Sequence, residues 1–320
     1  MNILITNDDG IEAAGLQNLV RALHEKAGAT IYICAPDGQR SATAHGITMN
    51  RPITVEEVPI EDVEVAYQIS GLPADCIKLG LIFLARKGIS IDMVFSGINH
   101  GGNLGTDTLY SGTVSAALEG SLNGVPSVSV SVDSHQATHF EYICELAVNA
   151  AKAIEKQIAE GTADPRIVLN INTPDLPKEE IKGLKYTVLG PREYDEIFVP
   201  AHMDSEEARL KRDAARAASS RKADSRKESG SEADSRKESG RKAGSSEAEA
   251  APMEAAQEGL RLEDLIPGAF RYSGTPVYYD NLPANLDVVA NQDGYASITP
   301  IHTDLTAYDM VEKIQQWNLG

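Results

Sequence analysis

NILITNDDGIEAAGLQNLVRALHEK, residues 2–26, changes its period partway along. Residues 2–6 make a short apolar run of strand length, and from Gly15 to Lys26 the apolar residues Leu16, Leu19, Val20 and Leu23 recur at helical spacing. Between the two stand Asn7, Asp8, Asp9 and Gly10. Adjacent carboxylates repel each other and suit neither strand nor helix, so the stretch reads as strand, acidic loop, helix.

The same grammar repeats along the chain. TIYICAP (30–36) is a second buried strand ended by Pro36, and a polar-flanked pair of strands is predicted at Gly46–Val58 and Val63–Ser70. Pro73 opens a helix through Cys76, Leu79, Ile82 and Phe83. MVFSGIN (93–99), SVSVSV (127–132) and RIVLNIN (166–172) are further buried strands, with helices between them at Thr113–Asn123 and Phe140–Glu160. Continuous apolar strands alternating with amphipathic helices predict an α/β fold with a mostly parallel sheet covered on both faces. Ligands of such sheets bind outside the carboxyl ends of the strands.

Composition narrows the chemistry. Of 320 residues, 42% are hydrophobic, enough for a sizeable core. No apolar run approaches the roughly 20 residues needed to cross a bilayer, and no basic segment followed by an apolar one opens the chain, so neither membrane nor signal peptide is expected. Cys34, Cys76 and Cys144 are odd in number and widely spaced, which suits buried thiols in a reducing cytoplasm. The net charge of −18 argues against a nucleic-acid polymer as main partner, whereas a small phosphorylated substrate stays open if a cation reverses the local potential. From Ser205 to Gly259 the chain is dominated by Ala, Ser, Glu, Lys, Arg and Gly and duplicates a unit, ADSRKESGSE then ADSRKESGRK. Its 12 basic and 12 acidic side chains cancel, so the whole −18 belongs to the remainder. Disorder is expected there, with a helix over Glu206–Ala218 as the alternative.

Three strand ends gather polar residues. The first carries Asn7, Asp8, Asp9 and Gly10; the second carries Asp37, Arg40, Ser41, Thr43 and His45; the third runs SGINHGGNLGTDTLYSGTVSAALEG, residues 96–120. Hard divalent cations such as Mg²⁺ or Mn²⁺ take carboxylate, amide and water oxygens, so Asp8 and Asp9 read either as ligands or as helix-capping acids. Ser111, Gly112 and Thr113 open a helix whose free N–H groups suit an anion, with a simple capped turn as the alternative. His45 and His100 lie in these loops and are candidate proton donors or plain polar loop residues.

NDDGI, RSATAHGIT, the 96–120 stretch and the late GYASITPIHTDLT together resemble the SurE survival protein family of metal-dependent 5′/3′-nucleotidases, nearly continuously over residues 1–193 and again over 286–317. The resemblance implies a Rossmann-like three-layer α/β sandwich with a C-terminal extension exchanged between subunits of a homodimer or homotetramer. It implies hydrolysis of nucleoside 5′- and 3′-monophosphates, with short polyphosphate as a further substrate. Carried over by motif, one divalent cation per subunit, Mg²⁺ or Mn²⁺, is held by Asp8, Asp9, Ser41 and Asn99, and the substrate phosphate by Asn103, Ser111, Gly112 and Thr113. Asp8 and Asp9 are also the catalytic candidates, orienting or deprotonating the attacking water. The chain then divides into a Rossmann-like core over 1–200, a low-complexity insertion over 201–262, and a C-terminal strand and helix over 263–320. The hairpin that members carry after the position of Tyr194 is displaced here by the insertion. In the tail, Thr306 to Asp309 reads as a capping-box variant opening a last helix through Val311, Ile314 and Trp317.

Two rivals are set against this reading. A haloacid-dehalogenase-type phosphatase needs Asp-x-Asp with the first Asp as nucleophile, and Asn7 occupies that place. A non-catalytic metal-dependent nucleotide sensor would use the same pocket without turnover.

Overall fold

The computed structural model describes residues 1–195, 198–200, 270–272, 275–277 and 282–317. The low-complexity insertion and its alternative helix lie outside the described residues. In chain order the elements are β1 (Asn2–Thr6), α1 (Ala14–Ala27), β2 (Thr30–Pro36), β3 (Val55–Glu57), β4 (Val65–Ile69), α2 (Pro73–Arg86), β5 (Met93–His100), α3 (Gly112–Leu122) and β6 (Ser127–Val132). There follow α4 (Glu141–Ala159), β7 (Val168–Thr173), β8 (Leu184–Tyr186), β9 (Glu193–Asp195), β10 (Phe198–Pro200), β11 (Phe270–Tyr272), β12 (Thr275–Val277), α5 (Asp287–Gln292), β13 (Ala296–Ile301) and α6 (Tyr308–Gln315).

Among the described residues, nine strands form one sheet in the order β3-β4-β2-β1-β5-β6-β7-β13-β8. Its centre is parallel throughout, and only the β3–β4 and β7–β13 pairs run antiparallel. This is the expected mostly parallel α/β fold. On one face Ile3, Ile5, Ile33 and Phe95 pack against α1 and α4 through Leu16, Leu19, Ile143 and Ala147. On the other, Leu4, Cys34 and Val94 meet Cys76, Ile77 and Leu84 of α2 and Ala116 of α3. Fully burying each such aliphatic side chain contributes about 1.5–3 kcal/mol.

The two faces are not equally apolar, which corrects the reading of SVSVSV as a continuously apolar strand. Val128, Val130 and Val132 enter the first core, while Ser127, Ser129 and Ser131 face the α3 side, each 0% exposed. The register extends this into a polar row, Thr6 beside Ser96, Ser96 beside Ser129, Ser129 beside Asn170 and Asn170 beside Thr299. Ser129 Oγ donates to Asn170 Oδ1 at 2.9 Å.

Two other expectations are corrected. The strand predicted over Gly46–Val58 is paired only at Val55–Glu57. Asp75 draws the earlier part away, its carboxylate accepting the N–H groups of Thr48 and Leu72. At the C-terminus no side chain caps α6, whose N-cap is Ala307; the Thr306 N–H instead donates to Asp304 Oδ1 at 2.9 Å. The box is thus one residue out of phase with the helix.

The chain separates into two compact units, residues 1–192 with 280–320, and residues 193–279. In the second, β9 pairs antiparallel with β12 and β10 with β11, a nested ribbon from which the insertion departs. Among the described residues no helix is long and apolar enough to cross a membrane.

Candidate active site

At the end of β1 the chain makes a tight turn closed by one side chain. Asn7 Nδ2 donates to the Gly10 carbonyl at 2.7 Å, and the Gly10 N–H donates to Asn7 Oδ1 at 3.2 Å. Both ends of this amide serve the turn, which holds Asp8 and Asp9 over the sheet edge. Gly10 adopts φ +105° and lies so close to Gly38 that a Cβ would come within 3.1 Å of the Gly38 Cα. The first two site loops therefore touch backbone to backbone, and the Arg40 N–H donates to the Asp8 carbonyl at 2.7 Å.

Asp8 is 5% exposed, and its Oδ1 accepts from Thr113 Oγ1 at 2.7 Å. Burial pushes its carboxyl up to about 6 against the hydrogen bond from Thr113, and the charge of Asp9 adds to the rise. Asp9 Oδ2 accepts the His100 N–H at 3.1 Å and lies 3.2 Å from His100 Nδ1. The His100 ring stands edge-on to Phe140, with centroids 5.5 Å apart. Among the described residues His100 is the one basic side chain within salt-bridge distance of this pair of acids.

The third strand delivers Asn99 through an irregularity. The register of β5 against β6 shifts between Ser96 and Asn99, with Gly97 at φ +132° and so close to β6 that a Cβ would stand 2.2 Å from the Val130 carbonyl. A bulge of this kind re-aims the side chain that follows. Asn99 Nδ2 donates to the Gly101 carbonyl at 2.7 Å, which orients the amide and turns its oxygen away from that bond.

Helix α3 completes the arrangement. Ser111 is its N-cap, Oγ accepting the Val114 N–H at 3.0 Å, which is the capped turn the sequence also allowed. Gly112 presents a bare Cα to Asp8; a Cβ there would lie 3.1 Å from Asp8 Oδ2 and from Thr43 Oγ1. Asn103 faces inward. Its Nδ2 donates to Ser131 Oγ at 2.8 Å, its N–H to Asn172 Oδ1 at 2.8 Å, and its carbonyl accepts from Asn170 and Asn172.

The structure thus joins Asp8 to Thr113 by a direct hydrogen bond, with Gly112 packed beside Asp8 and Asp9 next to it in the chain. Asn99 is brought to them through its neighbour His100, and Ser41, on an exposed turn, through its neighbour Arg40. Asn103 is anchored beneath the loop instead. A cleft of about 700 Å³ between α1 and α4, lined by Arg21, His139, Tyr142 and Lys178, contains none of these residues.

Three supporting residues escaped the sequence reading. Asp287, fully buried on α5, accepts the Gly105 N–H at 2.7 Å and the Gly190 N–H at 2.8 Å. Arg192 pairs with Asp107 and Asp133 at 3.2 Å each, and its carbonyl accepts from Thr106 Oγ1. Both tie down residues 104–109, which lead into Ser111. Glu119, 2% exposed in α3, is met by His45 and Lys78. Only Glu119 had a visible signal, as the lone charge in GTVSAALEGSL.

Comparisons with known proteins point to one family. A family model described as Survival protein SurE matches residues 3–196. The 5′-nucleotidase SurE of Syntrophomonas wolfei is 34% identical over 317 residues, covering 99% of this chain and 94% of its own. That of Heliobacterium modesticaldum is 45% identical over 199 residues, covering 62% and 70%. The crystal structure of the SurE protein from Aquifex aeolicus superposes with a TM-score of 0.66 at 28% identity, covering 99% of each chain.

Proposed function

This chain belongs to the survival protein SurE family, and we propose that Asp8, Asp9, Ser41 and Asn99 hold the divalent cation on which its 5′-nucleotidase activity depends. The chain hydrolyses nucleoside 5′-monophosphates to nucleoside and phosphate. The observation that carries the site assignment is the Thr113–Asp8 hydrogen bond. It sets the Asp8 carboxylate, with Asp9 beside it in the chain, against a helix N-terminus suited to phosphate, and a carboxylate and a phosphate so placed repel unless a cation stands between them.

The donor set fits such a cation. Two carboxylates, a hydroxyl and an amide oxygen are hard ligands of the kind Mg²⁺ and Mn²⁺ accept, and Gly112, without a side chain, lets the start of α3 approach Asp8 Oδ2 closely. When bound, the cation supplies positive charge for the phosphoryl oxygens and makes a nearby water more acidic. The protein's own groups do the remainder. The first N–H groups of α3, that of Thr113 among them, and the hydroxyl of Ser111 receive the phosphate oxygens, while the Thr113 hydroxyl stays on Asp8 and Asn103 supports the loop that leads to them. Asp8 or Asp9 orients the attacking water and accepts its proton. Asn7, with both amide ends spent on the turn, is no nucleophile, which leaves the phospho-aspartate route without its first residue.

The finer assignments are one Mg²⁺ or Mn²⁺ per subunit, 3′-monophosphates and short polyphosphate as further substrates, a cytoplasmic setting, and a homodimer or homotetramer. The last is supported by the apolar side of α6, where Val311, Ile314 and Trp317 are 45%, 39% and 59% exposed. The test is phosphate release from AMP and GMP with Mn²⁺, with Mg²⁺ and with chelator, using Asp8→Asn and Asp9→Asn as controls. Metal-dependent nucleotide binding without phosphate release would replace this reading with the sensor.

A further inference from the structure

Residues 40–46 carry Ser41 yet have little regular structure of their own. Ala42 and Ala44 sit at φ 54° and 50°, a region that costs a residue with a Cβ, so something outside the loop must hold its shape. Two contacts do so. The Ala44 N–H donates to the Tyr110 carbonyl at 3.0 Å, immediately before the N-cap of α3. His45 Nε2 lies 3.0 Å from Glu119 Oε2, two turns into the same helix.

Glu119 is an expensive residue to place there. Its side chain is 3% exposed in a helix otherwise made of small and apolar residues, and a buried carboxylate is tolerated only when it is paired. Lys78 of α2 approaches Oε1 at 2.7 Å and Asn123 donates to the same oxygen at 2.9 Å. Those two already satisfy one oxygen from within the helical layer. The second oxygen is turned to the loop and meets His45 alone among the described side chains. An apolar residue at this place would fill the helix face as well but could not grip the loop.

We propose that His45 and Glu119 form a positioning pair that holds residues 40–46, with Ser41, at a fixed place against α3. Because the first turn of α3 carries Gly112 and Thr113, the pair sets the separation between the hydroxyl ligand on the loop and the phosphate-binding helix. His45 is therefore a positioning residue that touches neither substrate nor cation. The consequence for the cation rests on the reading of Ser41 as its ligand; the consequence for the loop does not.

Two readouts on the full-length protein separate these levels. Hydrogen exchange of the amides of residues 42–46 in metal-free protein is expected to rise about tenfold in His45→Ala and to return toward wild type in His45→Gln, whose Nε2 can still donate to Glu119. Calorimetric titration with Mn²⁺ is expected to show about tenfold weaker binding in His45→Ala, again recovered in His45→Gln, as for other residues that orient a ligand. Lys78→Met strips the lysine partner from Glu119 and is the control for general loosening; its loop exchange should stay near wild type. Unchanged loop exchange in His45→Ala, or equal acceleration in Lys78→Met, overturns the positioning pair. Wild-type protein that binds no Mn²⁺ overturns instead the ligand reading of Ser41, and the exchange data then decide the pair by themselves.

Discussion

Thr113 Oγ1 donates to Asp8 Oδ1 across 2.7 Å, joining the first turn of α3 to the carboxylate at the end of β1. The two residues are 105 positions apart in sequence, and the bond is buried. It couples the cation side of the site to the phosphate side. Thr113→Val keeps the shape and removes the donor, leaving Asp8 without its side-chain partner. Loss of a hydrogen bond to a charged group costs about 1.5–3 kcal/mol of stability. Without that bond Asp8 is free to shift, and misplacing a group that acts on the substrate costs about 10²-fold in kcat. A thermal melt and AMP turnover measure both, and kcat/KM within threefold of wild type would remove Thr113 from the site.

Asp8→Asn should separate folding from function with opposite signs. The carboxyl is raised from 3.8 to about 6 in the fold, so its ionised form is less favourable there than in the unfolded chain. Stability from this group is therefore fully present below pH 3.8 and is lost as pH rises through about 6. At pH 8 the loss amounts to about 2–3 kcal/mol, which the neutral amide avoids. Metal-free Asp8→Asn should accordingly melt higher than metal-free wild type at pH 8, and the two should converge near pH 4. Added Mn²⁺ should raise the wild-type melting temperature and leave the variant unmoved. A variant that still gains stability from Mn²⁺ would place the cation elsewhere.

Chelation tests the whole cage at once. Excess EDTA should abolish phosphate release from AMP, and Mn²⁺ or Mg²⁺ added beyond the chelator should restore it. Chelator-resistant turnover would leave the carboxylate pair without a cation to hold.

Much of this was legible in the sequence because the fold and the site use different signals. The strands β1, β2, β5 and β7 and the helices α1, α2, α3 and α4 are local periodicities, and each appears where its apolar spacing places it. The loops at the strand ends then put Asp8, Asp9, Asn99 and Thr113 on one edge as a consequence of topology. The supporting contacts were not legible. Asp287 reaches Gly105 across 182 positions and His45 reaches Glu119 across 74, and no local pattern encodes either meeting. The polar row beneath α3 was hidden for another reason: SVSVSV reads as a buried strand, but only its register with the neighbouring strands shows its serines lining up with Ser96 and Asn170.

Gly112→Ala asks whether the space beside Asp8 matters. Alanine is favoured over glycine in a helix by about 1 kcal/mol, so propensity alone would stabilise α3. The new Cβ would stand 3.1 Å from Asp8 Oδ2 and Thr43 Oγ1, which must give by a few tenths of an ångström. The Asp8 Cβ stands equally close at 3.1 Å and is fixed to the backbone, so the fold survives with a loss of about 1–3 kcal/mol from overpacking. The site does not tolerate the same shift, because ligands and donors act only in narrow geometry, and about tenfold or greater loss of kcat/KM is expected. A stable variant with wild-type turnover would show that the space is structural only.

Asp287→Asn probes the loop from the opposite side. The carboxylate accepts the Gly105 N–H on one oxygen and those of Gly190 and Val288 on the other. An amide has one oxygen, so whichever way it turns, an NH₂ group faces an N–H donor in a buried place. Leaving such a donor unsatisfied costs about 1–3 kcal/mol. The functional effect is indirect, since Gly105 opens the turn that leads to Ser111 and Asp287 touches no reacting group. With the phosphate-binding end of α3 less well held, KM for AMP should rise more than kcat falls. Arg192, which pairs with Asp107 and Asp133, should still tether the far side of the same turn and keep the variant folded. A melt, with KM and kcat measured at saturating Mn²⁺, checks both halves; a fall in kcat at unchanged KM would instead place Asp287 in the chemistry.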